Sequence, residues 1–536
     1  MSTADVDRFV EERLPPAEQQ PEFLFELPEL HYPDRLNAAV VLIDQAVAEG
    51  HGEQPAVVNA HGRWTYAQIK QMSDRIARLL VEEEGLVPGN RVFLRGPNGA
   101  TMFAAWAGIL KAGGIVVATM PILRPGEIAT ILERAEVSHA IVDSRFIGDF
   151  REGAEQAGTV RSVLRYDGDH GYGELETRLR SVELGFEPVD TGRDDVALIA
   201  FTSGTTGKPK GCIHYHRDIL ASADSFARYV LKPEPGQRWA CSAPIAFTFG
   251  LGMLLVFPWR FRGTAVTLER STPPDLLDAI ERYEVNLLAT APTAYKAMLG
   301  QLEGRSIASL STCVSAGEHL PAATWEAWHD RTGLGMVDGI GATEMMHIFI
   351  SASGDDIRPG ATGKAVPGYH ACVLDDDGNP LPHGTGRLAV KGPTGCRYFD
   401  DDRQTHYVQN GWNVTGDTYR ADEDGYFWYV ARSDDMIISS GYNIAAGEVE
   451  NPLHSHPAVQ ECAVVGAPCD ERGQRVKAYI VPAPGHAPGE PLAEALKLHV
   501  KAAIAPYKYP REIEFVDALP KTATGKLQRY ALKEPR

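Results

Sequence analysis

Short apolar runs rich in β-branched residues alternate with amphipathic segments through the first two thirds of the chain. The apolar runs predict strands at 91–94, 114–118, 139–143, 196–201, 264–268, 287–290 and 311–316. Segments with the helical period, such as 273–283 and 321–331, lie between them. Regular alternation of the two patterns predicts an α/β fold with largely parallel, doubly wound sheets, arranged here as two similar lobes.

The pattern changes from about Tyr369 onward. Short strand-like runs separated by Asp-Gly and His-Gly turns predict a small β-rich lobe there. The last hundred residues then read as a helix at 447–456, strands at 460–467 and 475–482, and a helix at 491–505. This order predicts a compact α+β domain at the C-terminal end.

Composition narrows the class of protein. A chain of 536 residues is longer than a single hydrophobic core usually supports, so at least two domains are expected. Its formal charge of −19 disfavours nucleic acid or an anionic membrane as a partner. The seven cysteines are scattered without metal-ligand spacing, as expected for reduced thiols. With no signal-like start and no long apolar run, these features predict a cytoplasmic enzyme without membrane segments.

A glycine- and threonine-rich loop at 202–211, TSGTTGKPKG, directly follows the apolar run 196–201. Glycines turn backbone N–H groups toward an anion, hydroxyls donate hydrogen bonds, and lysines neutralise phosphate charge. An ordinary surface turn is the alternative for a lone loop of this kind. A Walker loop would need Ser or Thr after the lysine, whereas Pro209 follows Lys208.

Five further motifs follow this loop in order: SAGEHLP at 315–321, GIGATE at 339–344, TGD at 415–417, ARSDDMIISSGYNIAAGEVE at 431–450 and PKTATGKLQR at 520–529. With them the chain resembles the adenylate-forming superfamily of acyl-CoA synthetases, peptide-synthetase adenylation domains and luciferases over nearly its whole length. The resemblance implies an N-terminal adenylation core at 1–432, a hinge at 433–434 and a mobile C-terminal domain at 435–536.

The resemblance also implies a role for individual residues. Lys526, Thr343 and Glu344 are the implied catalytic residues, with Mg²⁺ held by Glu344, although without this context Glu344 and Lys526 would be interpreted as solvent-exposed surface residues. Asp434 matches the hinge, and Ser440, Gly441 and Tyr442 match the path of coenzyme A. The implied ATP and AMP contacts are Thr202, Ser203, Gly204, Thr205, Thr206, Lys208, Gly317, Glu318, Asp338, Gly339, Ile340, Thr343, Asp417 and Arg432.

The predicted acid pocket is aromatic and apolar with a few polar atoms, which suits a small aromatic acid. Its residues are Phe247, Thr248, Phe249, Gly250, Gly317, Gly341, Met345, His347 and Ile348. The run GATEMMHIFIS resembles benzoate-CoA ligases, and the opening segment resembles 2-aminobenzoate-CoA ligases. Thr248-Phe249 departs from the Ala-Tyr of benzoate enzymes. We therefore expect 2-aminobenzoate as substrate, with His347 or Thr248 near its amine; the alternative for His347 is a packed histidine that hydrogen-bonds to the backbone.

Several alternatives remain open at this stage. The enzyme could use benzoate, a medium-chain acid or a luciferase-like substrate, or load an aryl acid onto a carrier protein in place of coenzyme A. A non-catalytic relative would not be expected to retain Glu344, Asp417 and Lys526 together. Oligomeric state, monomer or homodimer, is open, and Lys508, Lys477 and Arg475 are candidates for the coenzyme A phosphates by location and charge only.

Overall fold

The computed structural model describes residues 3–202, 209–432, 436–439, 442–469, 473–504, 508–521 and 527–533. Their strands form four sheets, two in the α/β region, one in the β-rich lobe and one in the C-terminal domain. Across these same ranges, every helix is too short or too polar to cross a membrane.

The strands, in chain order, are β1 (Pro55–Asn59), β2 (Gly62–Thr65), β3 (Arg91–Arg95), β4 (Ile115–Thr119), β5 (His139–Asp143), β6 (Ser162–Tyr166), β7 (Val196–Thr202), β8 (Lys210–Tyr215), β9 (Arg238–Cys241), β10 (Thr264–Val266), β11 (Leu287–Thr290), β12 (Thr312–Ala316), β13 (Met336–Gly341), β14 (Ile348–Ser351), β15 (Lys364–Ala365), β16 (His370–Leu374), β17 (Pro380–Leu381), β18 (Gly384–Lys391), β19 (Val408–Gln409), β20 (Trp412–Ala421), β21 (Phe427–Arg432), β22 (Met436–Ser439), β23 (Tyr442–Ala445), β24 (Val459–Cys469), β25 (Gly473–Pro482) and β26 (Glu512–Phe515).

The α-helices are α1 (Tyr66–Arg78), α2 (Ala100–Lys111), α3 (Pro125–Arg134), α4 (Ile147–Ala157), α5 (Glu174–Leu179), α6 (His216–Ser222), α7 (Thr248–Leu251), α8 (Phe257–Arg260), α9 (Pro273–Tyr283), α10 (Pro292–Leu299), α11 (Ala322–Thr332), α12 (Gln404–Tyr407), α13 (Ala446–Ser455) and α14 (Glu490–Ala503). Short 3₁₀ and π-helical turns join or extend several of them.

The two sheets of the α/β region are mostly parallel. The first has the order β6-β5-β3-β4-β7-β8, and only β7 and β8 pair antiparallel. The second has the order β15-β14-β13-β12-β11-β9-β10-β1-β2 and is parallel from β13 through β1. All twelve residues of α2 are buried, as expected for a mostly apolar helix, and its one charged residue, Lys111, is paired with Asp44 and Asp74.

The β-rich lobe and the C-terminal domain each have one sheet. In the lobe, β17-β16-β18-β20-β19 pair antiparallel and β21 pairs with β20. In the C-terminal domain the order is β23-β22-β25-β24, with β26 parallel to β25. Apolar side chains of α13 and α14, among them Val449, Leu453, Leu496 and Val500, form one core cluster with that sheet.

The predicted fold class, two α/β lobes with a β-rich lobe and a small α+β C-terminal domain, is confirmed. The predictions for 139–143, 287–290 and 273–283 match β5, β11 and α9 residue for residue. Most other predicted boundaries shift by one or two residues, as hydrophobic patterning alone does not define element ends. The domain limits at 432 and 435 stay a prediction.

Candidate active site

Most residues of the predicted acid and adenine sites lie at the ends of four parallel strands of the second sheet. β9, β11, β12 and β13 are neighbours, so their carboxyl ends lie along one edge. Open α/β sheets bind ligands beyond that edge. The segments that follow these strands carry the predicted acid-pocket and adenine residues, which the fold therefore brings together although they span about a hundred positions in sequence.

The adenine side lies at the ends of β12 and β13, where Ala316 pairs with Gly339 and Ser315 with Asp338. Gly317 follows with φ +91°, a left-handed conformation that favours glycine. Burial raises the pKa of the Asp338 carboxyl well above its ordinary value. Its buried Oδ1 has no hydrogen-bond partner within the described ranges, so it can take up a polar ligand atom such as an amine.

The ribose side lies on the β-rich lobe. Asp417 on β20 pairs directly with Arg432 on β21, as the two motif positions require if they are to act together. The Asp417 backbone N–H donates to the Thr415 hydroxyl at 3.2 Å, which shapes the strand at this point. The side chain of Arg432 lies outside the described part of the structure.

The Thr-Glu motif forms a tight turn. Thr343 to Met345 make one 3₁₀ turn, and the following Met346 is fully buried with φ +68°, which is uncommon for a residue with a side chain. His214 on β8 donates from Nε2 to the Thr343 carbonyl oxygen at 2.8 Å. Burial lowers the pKa of His214 to about 4, so the imidazole is neutral at pH 7 and supports the turn without adding charge.

Glu344 is 8% exposed and is held at one carboxylate oxygen. The Tyr398 hydroxyl donates to its Oε1, and the Lys210 ammonium lies 3.5 Å from the same oxygen. Lys210 also donates to the Tyr398 hydroxyl at 2.7 Å. The charge of Glu344 is therefore partly compensated before any metal ion arrives.

Sequence reasoning missed three of these residues. Lys210 stood in the quoted phosphate loop, but no contact was assigned to it. His214 and Tyr398 carried no recognisable signal, since the first looks like a strand residue and the second lies 54 positions from Glu344. A family alignment could have marked them; hydrophobic periodicity could not.

The described residues contain no group of three or more His, Cys, Asp or Glu side chains that could hold a metal ion. A single carboxylate such as Glu344 is nevertheless a suitable site for Mg²⁺, which prefers oxygen and usually takes its remaining ligands from phosphates and water. The donor set of this chain thus fits a metal ion that is bound together with a nucleotide.

The residues that follow the turn on the predicted acid side are buried among aromatic rings. His347 is 2% exposed, and its ring centroid lies 4.5 Å from that of Phe257, 5.4 Å from Phe226 and 5.6 Å from Phe249. Its Nε2 faces the Phe249 carbonyl oxygen at 3.4 Å. Burial lowers the pKa of His347 to about 3, and the buried Nδ1 has no partner among the residues described. The ring is therefore neutral, with a hydrogen-bonding atom to spare.

Three glycines allow this close packing. A Cβ on Gly252 would lie 2.4 Å from the His347 ring, and one on Gly341 would lie 2.8 Å from the His347 carbonyl oxygen. A Cβ on Gly250 would lie 2.2 Å from the Pro244 carbonyl oxygen. The backbone around the predicted acid pocket can approach so closely only because side chains are missing there.

The other predicted pocket residues divide into two groups. Phe247, Phe249 and Gly341 keep accessible surface, so they are available to a ligand. Thr248 is 7% exposed, Ile348 2% and Met345 0%, and Gly250 is buried, so these four, like His347 at 2%, are covered by neighbouring residues in this structure. Thr248 thus starts α7 as a largely covered residue at the base of the site.

Several predicted residues lie outside the described part of the chain. They are Ser203, Gly204, Thr205, Thr206, Lys208, Asp434, Ser440, Gly441 and Lys526, together with the side chain of Tyr442. The ends of the segment that carries Lys526 are described: Lys521 pairs with Leu527 as an isolated bridge, and Arg529 donates to both oxygens of Glu450 at 2.9 and 2.7 Å.

The three cations considered for coenzyme A phosphates are engaged in ion pairs. Lys477 lies 2.9 Å from Glu512 and Arg475 lies 2.6 Å from the same residue, while Lys508 lies 2.8 Å from Glu448. A phosphate would have to compete with these carboxylates, so their assignment gains no support from the geometry.

A cavity of about 310 Å³ lies elsewhere, at the carboxyl ends of β1, β3, β5, β6 and β10. Asn59, His61, Asn98 and Arg145 are among its lining residues, and none of the predicted site residues is. The predicted site stays at the β9–β13 edge, where the matched motifs lie together with the unpartnered Oδ1 of Asp338 and Nδ1 of His347. Size alone does not identify an active site.

Comparison with known proteins agrees with the motif-based assignment. Residues 44–398 match the AMP-binding enzyme family, and residues 448–526 match the AMP-binding enzyme C-terminal domain. The chain belongs to the AMP-binding enzyme family. The predicted membership of the adenylate-forming superfamily and the predicted class, an acid–thiol ligase, are confirmed.

Similar proteins cover nearly the whole chain. A benzoate–CoA ligase of Thauera aromatica is 35% identical over 515 residues, which is 94% of this chain and 97% of the relative. A solved anthranilate CoA ligase bound to anthranoyl-AMP has a TM-score of 0.89 at 34% identity, covering 94% of this chain and 98% of that one. A solved benzoate CoA ligase of Burkholderia xenovorans has a TM-score of 0.85 at 30% identity, covering 93% and 100%.

Proposed function

We propose that this AMP-binding enzyme is an ATP-dependent aryl acid:CoA ligase whose preferred acid is 2-aminobenzoate. Support for an aryl acid comes from the relatives, two of which are named for benzoate and one for anthranilate, and from the aromatic lining contributed by Phe247 and Phe249. Support for the ortho amine comes from His347.

The observation that carries the amine hypothesis is the unpartnered Nδ1 of His347. Because Nε2 faces a carbonyl oxygen, it carries the proton, and Nδ1 is left as an acceptor. An aromatic amine that reached the ring would supply the donor that Nδ1 lacks, whereas benzoate would leave the atom unsatisfied; because Nδ1 is buried in this structure, the ring would have to turn toward the acid. A site with a buried polar atom discriminates against a ligand that cannot pair with it.

The reaction proceeds in two half-reactions. In the first, a carboxylate oxygen of the acid attacks the α-phosphorus of ATP, and the bond to the bridging oxygen of pyrophosphate breaks. In the second, the thiolate of coenzyme A attacks the acyl carbon of the aryl-adenylate, and AMP leaves with the electron pair. No protein nucleophile takes part, so the chain acts by positioning and by electrostatic stabilisation.

The predicted site residues would each bind a different part of the nucleotide. Gly317, Asp338 and Gly339 would bind adenine, with Glu318 and Ile340 beside them, and Asp417 would bind the ribose. Thr343 would contact the α-phosphate, and Glu344 would hold Mg²⁺. When bound there, Mg²⁺ neutralises charge on the phosphate oxygens. Thr202 and the loop after it would surround the outer phosphates.

Lys526 would supply the cation where charge develops during the first half-reaction. We expect Lys526→Ala to lower acid-dependent pyrophosphate exchange by about 100-fold or more. Thioester formation from pre-made aryl-adenylate should stay within about twofold of wild type, because the proposed turn of the C-terminal domain would carry Lys526 away from the site before that step. Loss of both activities would contradict this role.

The C-terminal domain would turn about Asp434 between the two half-reactions and bring the 440–442 segment to the pantetheine arm. Short segments at element ends commonly act as such hinges. Ser440, Gly441 and Tyr442 would then line the approach of the thiol. The glycine would allow close contact with the chain of the cofactor.

A competition assay tests the substrate. The protein is incubated with Mg-ATP, coenzyme A and equal amounts of 2-aminobenzoate, benzoate, salicylate, 4-hydroxybenzoate and octanoate, and the thioesters are separated by chromatography. We expect 2-aminobenzoyl-CoA to dominate. Dominance of another acid would retain the ligase and reject the amine hypothesis.

Two variants separate the candidate amine partners. His347→Ala should lower the kcat/KM ratio of 2-aminobenzoate to benzoate by about tenfold, and the near-isosteric Thr248→Val should leave it unchanged. The reverse result would transfer the role to Thr248. An unchanged ratio in both variants would show that neither side chain recognises the amine.

A carrier protein as acceptor is a second candidate, since all adenylation motifs are shared with enzymes of that kind. The same assay distinguishes it. Formation of AMP with one acid, without any thioester, would indicate an acceptor other than free coenzyme A.

A further inference from the structure

Tyr398 occupies a fixed place next to the phosphate side of the cleft. It is 1% exposed, and its backbone N–H donates to the Gln404 side chain at 2.8 Å. The segment that carries it runs beside β8: Tyr398 forms an isolated bridge with Cys212, and Ile213 donates from its backbone to the Arg397 carbonyl oxygen at 2.8 Å. The same strand begins with Lys210, so one element positions both residues.

The residue before Tyr398 belongs to a buried ion pair. Its neighbour Arg397 is fully buried and donates to Asp218 at 2.7 Å. A buried ion pair is costly to move because either partner alone would be an uncompensated charge. The phenol is thus attached to a part of the core that resists displacement.

The hydroxyl makes two hydrogen bonds with a defined direction. A phenol has one proton, and Tyr398 donates it to Glu344 Oε1. The lone pair then accepts from the Lys210 ammonium at 2.7 Å, an interaction in which lysine can only donate. Positive charge, phenol and carboxylate follow one another as a chain in which each bond reinforces the next.

All hydrogen bonds and ion pairs that Glu344 makes with the described residues go to Oε1. The second oxygen, Oε2, receives none from these described residues. A carboxylate on a flexible side chain has several orientations, but one that is fixed at a single oxygen presents the other in a defined direction. Hydrogen bonds from outside the metal site orient metal-binding carboxylates in this way.

We propose that Tyr398 is the positioning residue that fixes Glu344 by Oε1 and reserves Oε2 for the metal ion that accompanies the nucleotide. The proposal rests on the metal-binding role proposed above for Glu344. In this proposal Tyr398 acts on the metal ion through the carboxylate of Glu344, to which its hydroxyl donates. Lys210 holds the phenol in the donating orientation.

The test is a binding measurement that does not depend on turnover. Calorimetry gives the Kd of a non-hydrolysable ATP analogue in Mg²⁺ and again in EDTA, and the ratio of the two Kd values reports the contribution of the metal ion. We expect Tyr398→Phe to lower this ratio about tenfold, as for a lost hydrogen bond to a charged group, with the Kd in EDTA within about twofold of wild type.

Tyr407 provides a matched control. Its ring packs at 5.8 Å from that of Tyr398, and its buried hydroxyl has no hydrogen-bond partner in the described part of the chain. Tyr407→Phe therefore removes the same atom from the same neighbourhood and should leave the ratio unchanged. An equal fall in both variants would show that packing, and not the hydrogen bond, is responsible.

Two more variants keep the outcomes distinct. Lys210→Met removes the donor that orients the phenol and should lower the ratio in the same direction, so the proposal stays testable if Tyr398→Phe does not fold. Glu344→Gln tests the underlying assumption. A wild-type ratio in Glu344→Gln would overturn the metal-binding role itself, whereas a fall there with a wild-type ratio in Tyr398→Phe would overturn only the role of Tyr398.

Discussion

Glu344 and His347 lie three residues apart on one turn and have opposite surroundings. Glu344 is held by a phenol and an ammonium group, while His347 is enclosed by the rings of Phe226, Phe249 and Phe257. Between them, the positive φ of Met346 reverses the backbone. Backbone conformations of this kind cost free energy and persist where the surrounding structure over-determines them.

The difference shows how one turn can serve two substrates. The proposed phosphate side would have to stabilise charge, and there the side chains of Glu344, Tyr398 and Lys210 are already paired with one another. On the proposed acid side, aromatic rings surround His347, and burial lowers the pKa of the imidazole so that it stays neutral. Because only two residues separate Glu344 from His347, the proposed function would bring the reacting carboxylate and phosphate close together here.

The largest expected effect is on the charged side. Glu344→Gln should lower pyrophosphate exchange by about 100- to 1000-fold, because the neutral amide would lack the negative charge and one of the two oxygens that a Mg²⁺ ligand would supply at this position. Thioester formation from pre-made aryl-adenylate should remain near wild type, because pyrophosphate has already left. Assaying the two half-reactions separately checks this, and a parallel fall in both would mean that the turn itself had been disrupted.

A smaller effect is expected from adding a side-chain atom next to the His347 ring. Gly252→Ala places a Cβ 2.4 Å from the His347 ring and should destabilise the protein by about 1–3 kcal/mol, with altered acid selectivity. Gly148→Ala on α4 is the control, because nothing lies within 4 Å of its Cβ. The control should be neutral or slightly stabilising. Denaturant midpoints measure both, and equal midpoints would show that His347 moves without cost.

The smallest effect concerns pH. The pKa of His347 is lowered to about 3 in the folded protein, so below pH 6.5 the unfolded chain takes up a proton that the folded one does not. The stability contributed by neutral His347 is complete above that pH and declines toward pH 3. Between pH 7 and 5.5 this amounts to about 1 kcal/mol. His347→Gln should therefore lose about that much less stability than wild type over the same interval in denaturant titrations, and an identical loss would contradict the neutral assignment.

Much of the architecture could be predicted from local pattern. β5, β11 and α9 match their predicted ranges because apolar periodicity reflects which face of an element is buried. The ordered motifs predicted the enzyme class, which the family comparison confirms. The functional roles of all the motif residues, including those in the loop at 203–208, Asp434 and Lys526, stay predictions.

The sequence by itself determined the order of elements, the adenylate-forming class and the set of motif residues, because these depend on short-range periodicity and on residue types at fixed spacing. Only the tertiary structure decided which distant side chains complete the site. Tyr398 reaches Glu344 because the segment that carries it runs beside β8, and His347 becomes neutral because three rings and a glycine close around it. Burial, desolvation and hydrogen-bond geometry arise between segments, so no single stretch of sequence contains them.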